Sequence, residues 1–101
     1  MNQIYIVSKR VYKKAYNMEP WFEETILKVF DDYHKAVMYI CDRIKMDHDL
    51  LDMSGEYLQN WRKYDPNPDN FEEGIFTKSI EYDTATYYES KCYRIRTYSV
   101  E

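Results

Sequence analysis

The sequence predicts an α+β fold, a four-stranded antiparallel sheet in the order β-β-α-α-β-β with helices packed on one face. Three observations predict it. The two ends of the chain, QIYIVS and YYESKCYRIRTYSV, are rich in β-branched and aromatic residues, which suit a pleated, half-buried surface. Between them the apolar spacing changes from period two to period near 3.6 over residues 29–45. Finally, 45% apolar and 32% charged residues, with two Gly and three Pro in 101 residues, describe one globular domain with a modest core and no need of disulfides or metal.

In chain order, Ile4 to Val7 reads as the first strand and extends loosely through Val11 and Tyr12, and residues 17–20 form a turn. Thr25 to Phe30 is the second strand, antiparallel to the first, with Trp21 and Phe22 at its entrance expected to be partly buried. The central helix follows: Tyr33, Ala36, Val37, Ile40, Cys41 and Ile44 recur at helical spacing on one face. Asp31 or Asp32 caps its start, and Arg43 and Lys45 are placed in its last turn, where the helix dipole favours cations. A second helical pattern runs from Leu50 to Tyr64 through Met53, Tyr57 and Trp61, weakened by Gly55. Pro66 and Pro68 end it, because each disfavours the α conformation in the preceding residue. Residues 65–74 are then an acidic loop. Ile75 to Tyr82 is the third strand, residues 83–86 a turn, and Tyr87 to Val100 the fourth strand, with an irregularity near Glu89–Lys91. Pairing of the first strand with the last, in the middle of the sheet, is the attractive topology.

Net charge is −4, unevenly spread. Residues 1–18 carry Lys9, Arg10, Lys13 and Lys14 and no acid, whereas residues 47–89 carry eleven acids against three bases. An acidic domain is poorly suited to direct nucleic-acid binding, which begins with neutralising phosphates. It is better suited to docking on a basic surface. The two cysteines, Cys41 and Cys92, show no metal or redox spacing and read as reduced thiols of a cytoplasmic protein. No stretch has the length of a membrane span.

Chemistry-bearing patterns are sparse. His34, Cys41, Asp47, His48 and Asp49 lack metal-ligand spacing, and neither His has a nucleophile and orienting acid arranged for it. Two glycines cannot build a phosphate loop. Glu23-Glu24 and Glu72-Glu73 are neighbours in sequence, so their carboxylates diverge and form no catalytic pair. The reading is therefore non-enzymatic, with no cofactor and no metal. The distinctive segment is acidic and aromatic: Glu56, Tyr57, Trp61, Tyr64, Asp65, Asp69, Phe71, Glu72 and Glu73 are the candidate partner-binding residues, aromatic anchors ringed by carboxylates. Lys9, Arg10, Lys13 and Lys14 are the alternative, an anion-binding cluster that would hold the phosphate of a sequestered nucleotide signal while tyrosines stack on the base.

The residues Ile4-Tyr5-Ile6-Val7, then Val29-Phe30-Asp31-Asp32-Tyr33-His34-Lys35-Ala36-Val37 leading into Tyr39-Ile40, and a closing strand from Tyr93 to Val100, resemble a pattern of small phage and mobile-element accessory proteins. The resemblance covers the two ends and the central helix. It implies a class in which inhibitors of bacterial defence systems such as CRISPR are common. On that reading the chain works in the cytoplasm of the host bacterium. Its partner is a host protein, a nuclease or another nucleic-acid-binding defence subunit, whose basic groove the acidic, aromatic segment would occupy. Direct binding to nucleic acid or membrane is not expected. A self-associating structural phage protein is the third reading.

Overall fold

The computed structural model describes residues 2–54 and 58–100. Five strands and one long helix follow in the order β1 (Asn2–Ala15), β2 (Trp21–Phe30), α1 (Tyr33–Ser54), β3 (Trp61–Lys63), β4 (Thr77–Asp83) and β5 (Tyr87–Val100). The strands form one antiparallel sheet ordered β2-β1-β5-β4-β3. The first and last strands do pair at its centre, over their whole length from Asn2↔Val100 to Ala15↔Tyr87. No helix among the described residues is long and apolar enough to cross a membrane.

The expected four strands and two helices are therefore corrected to five strands and one helix. Leu50, Leu51 and Met53 belong to the end of α1, and Trp61–Lys63 pairs with β4 as a short edge strand. The cause is a polar residue on the buried stripe. Ile40, Ile44, Asp47 and Leu51 lie along one line of the helix and all are buried, but Asp47 interrupts the apolar period and makes one helix read as two. Arg43 and Lys45 consequently sit mid-helix instead of in the last turn. After a short 3-10 turn at Leu58–Asn60, Trp61, Arg62, Lys63 and Tyr64 alternate between the two faces of the sheet, period two instead of 3.6. Gly55, Glu56 and Tyr57 lie outside the described residues.

The Asp32 carboxylate accepts the His34 backbone N–H at 2.7 Å and caps the helix start. The buried side of α1, through Ala36, Val37, Ile40 and Ile44, packs on Val7, Tyr93 and Ile95 of the two central strands. Tyr5, Leu27, Phe30, Tyr33, Tyr39 and Phe71 close its margins. A bulge in β2 opposite Val7/Ser8 turns both Leu27 and Lys28 to the helix side, where the Lys28 ammonium sits 5.4 Å from the Phe30 ring.

One buried carboxylate ties helix to sheet. Asp47 accepts hydrogen bonds from Ser79 Oγ at 2.8 Å and Tyr93 Oη at 2.6 Å, with Lys91 Nζ at 3.4 Å. Ser79 is the bulge residue of β4, and its carbonyl oxygen lies 3.0 Å from His48 Nε2. Burial, together with the Asp47 carboxylate, raises the Tyr93 hydroxyl far above its ordinary range, so it remains a donor. The 71–76 segment runs alongside β5, with the Gly74 N–H donating to Ile95 O at 2.8 Å and the Thr97 N–H to Glu73 Oε1 at 2.9 Å. Gly74 takes φ +80°, a left-handed conformation that a Cβ would strain.

Candidate binding surface

Because α1 is the only long helix described and lies on one side, the other face of the sheet has no covering layer among the described residues. Strand pleating assigns its side chains: Ile4, Ile6, Ser8, Arg10, Tyr12 and Lys14 of β1 point there, and so do their register partners. At one end the face is aliphatic. Ile26 is 65% exposed, Val29 50% and Tyr98 45%, beside the half-buried Ile4 and Ile6.

Toward the middle it becomes aromatic and cationic. The Arg10 guanidinium lies 4.0 Å from the Phe76 ring centroid and 5.9 Å from Phe22, and Arg94 approaches Phe76 from its other neighbour strand position at 4.6 Å. The buried Nε of Arg10 has no acceptor among the described residues. Arg94 is fixed by Glu24, which receives its Nη2 at 2.9 and 2.7 Å and its Nε at 3.2 Å, a forked pair. Burial acts to raise the Glu24 carboxyl, but the hydrogen bonds from Arg94 and Ser8 outweigh it and leave it lowered.

The far end holds a polar cluster centred on Glu81. It accepts from Lys78 Nζ at 2.6 Å, Tyr88 Oη at 2.5 Å and Tyr64 Oη at 2.9 Å, with Arg62 at 3.8 Å. The Lys78 hydrogen bond leads in pulling this carboxyl down to about 2, and the same bond pushes the lysine up to about 12. By register the whole face carries Arg10, Lys14, Arg62, Lys78, Arg94 and Arg96 against Glu24, Glu81 and Asp83. That is a surplus of three positive charges on a chain of net −4.

The candidate residues of the acidic, aromatic segment are dispersed by this architecture. Phe71 packs against the core and its carbonyl accepts from Tyr33 Oη at 3.3 Å. Tyr64 turns to the open face and Glu81, whereas Trp61 lies half-buried on the helix side against Tyr82. Asp65, Asp69, Glu72 and Glu73 are exposed, and Glu73 caps Thr97. Glu56 and Tyr57 are outside the described residues. The basic four are divided as well: Lys9 and Lys13 are on the helix side, Arg10 and Lys14 on the open side. Trp21 and Phe22, expected to be partly buried, are exposed on opposite faces of β2. Sequence reading missed the open face because its residues come from all five strands. The one signal available was the alternation of apolar and basic residues in β1 and β5.

Both thiols are free, and burial raises Cys92 and Cys41 above the ordinary thiol range. Compared with family models, curated proteins and solved structures, the chain matches none.

Proposed function

We propose that the chain is a non-enzymatic protein-binding module whose docking surface is the open face of its sheet. The observation that carries this is the row Phe22, Ile26, Val29 and Tyr98, exposed apolar side chains on one uncovered face, bordered by Arg10, Arg94 and Arg96. Aromatics and Arg at the centre of a patch, with aliphatic neighbours, is the composition of interface hot spots. The molecule's longer dimensions, 49 and 29 Å, bound the face at about 1,400 Å², above the roughly 800 Å² that each partner gives to a standard interface. Its positive surplus calls for a partner with carboxylates around an apolar centre, and it opposes packing of this face on its own copy. The aliphatic row fits a protein better than a phosphate backbone. Both buried carboxylates, Asp47 and Glu81, are saturated by internal donors, which suits a structural role for each better than a catalytic one.

A second reading is favoured by the exposed Asp65, Asp69 and Glu72. These carboxylates suit a basic groove, as the resemblance to anti-defence inhibitors implies, with charge in place of the aromatic anchors. The two readings separate in a capture experiment with tagged protein and host lysate. The proposal expects a protein retained by the wild type to be lost with Ile26→Glu plus Val29→Glu and kept with Asp69→Lys plus Glu72→Lys. The opposite pattern would move the interface to the acidic loop.

A further inference from the structure

On the helix side, past the end of α1, one rung of the sheet runs unbroken across all five strands: Trp61, Tyr82, Glu89, Lys13 and Trp21 are successive register partners. Tyr87, diagonal to Tyr82, completes a group of three rings. The centroids of Trp61 and Tyr82 are 5.1 Å apart with planes tilted by 58°, and those of Tyr82 and Tyr87 are 5.9 Å apart and tilted by 57°. These rings and Glu89 line a shallow, open depression of about 270 Å³. This site is independent of the open face, which lies on the other side of the sheet.

Three mutually tilted aromatic rings line one depression, and a carboxylate stands among them; π-electron density and a negative charge are thus gathered at one place. Neither feature attracts an anion, and a purely apolar guest would gain nothing from the Glu89 charge. A cation that is also greasy satisfies both. The depression is small and open, so it takes a head group and does not enclose a whole ligand. The protein's own lysines around the site are engaged: Lys91 with Asp47, Lys63 with Asp52 at 2.7 Å, and Lys13 with Glu89 at 3.4 Å. The last of these joins a largely exposed lysine, 44% accessible, to a glutamate that is only 23% accessible, and the Lys13 ammonium also lies 5.6 Å from the Trp21 ring. A cation thus already sits at the rim, and a guest cation would compete with it.

We propose that Trp61, Tyr82, Tyr87 and Glu89 form a binding site for a quaternary ammonium head group. Trimethylated nitrogen supplies a diffuse charge and apolar methyls, the pair of properties this lining selects, and Lys13 is its internal competitor.

The test is an NMR titration of the full chain with choline and, separately, with its uncharged isostere 3,3-dimethylbutan-1-ol. Saturable shifts of the Trp61, Tyr82 and Tyr87 ring protons are expected with choline in the millimolar range, at least about fivefold tighter than with the isostere. Trp61→Ala should abolish binding, Glu89→Gln should weaken it several-fold with the fold intact, and Lys13→Met should strengthen it. A tighter value for acetyl-trimethyl-lysine amide than for choline would assign the head group to a modified protein, and the reverse to a free small molecule. Equal affinity for choline and the isostere, no saturable shift, or indifference to Glu89→Gln would overturn the proposal.

Discussion

Replacing Glu81 by Gln keeps the size of the side chain, removes the charge that faces Lys78, and leaves one acceptor oxygen where Tyr64 and Tyr88 use two. The carboxyl stands at about 2 in the folded chain against an ordinary 4.5, a displacement of about 3 kcal/mol at 1.36 kcal/mol per pH unit. Part of that comes from the two tyrosine hydroxyls, of which the single amide oxygen of Gln keeps one in place. The lysine's smaller displacement, from 10.5 to about 12, is the better measure of the ionic share. Because the Lys78 side chain is 35% exposed, screening reduces this share to about 1–2 kcal/mol. The sign follows from the lowered carboxyl. Its contribution is fully present above pH 4.5 and is lost as pH falls toward 2, where the folded-state carboxyl takes up its proton. Urea unfolding of wild type and Glu81→Gln across that range should show a deficit whose ionic part, about 1–2 kcal/mol at neutral pH, disappears in acid. A deficit that stays constant with pH would show that the loss is one of packing, and would refute the ionic account.

Removing the helix–sheet tether with Asp47→Ala leaves Tyr93, Ser79 and Lys91 without their shared acceptor, and a loss of about 3 kcal/mol or more is expected in the same unfolding assay. Ile40→Ala empties a fully buried position against Val7 and Tyr93 and should cost about 2–5 kcal/mol in thermal or urea unfolding. Within the acidic loop, Phe71→Ala should destabilise by about 1–3 kcal/mol because the ring packs on the core, while Glu72→Lys should stay within about 0.5 kcal/mol.

The parts of the fold that were legible are those where pattern and burial agree. Ile4–Val7, the helix face from Tyr33 to Ile44, and the closing strand all bury apolar residues at the period of their element, and each is found in place. The failures have local physical causes. Asp47 is buried because Ser79, Tyr93 and Lys91 converge on it, partners supplied by strands 32 to 46 residues away that no local window contains. Trp61–Lys63 is a strand only because β4 offers it an edge, so its alternation carried no weight beside Leu50, Met53 and Tyr57 in a helical count. The same limit applies to binding surfaces. The aromatics of residues 57–76 are close in sequence, yet Tyr64, Phe71 and Trp61 go to the open face, the core and the helix side. Phe22, Ile26, Arg10, Phe76 and Tyr98, scattered over the chain, share one face.

The outer surface of α1 also exposes apolar residues, Met46, Leu50 and Met53, at i, i+4 and i+7. It is the natural comparison in the measurement that bears most directly on the open face as a docking surface: hydroxyl-radical footprinting of the chain alone and with its captured partner. The account predicts protection of Phe22, Ile26 and Tyr98, with Met46, Leu50 and Met53 oxidised as before. Protection of the helix residues, with Phe22, Ile26 and Tyr98 unchanged, would contradict it.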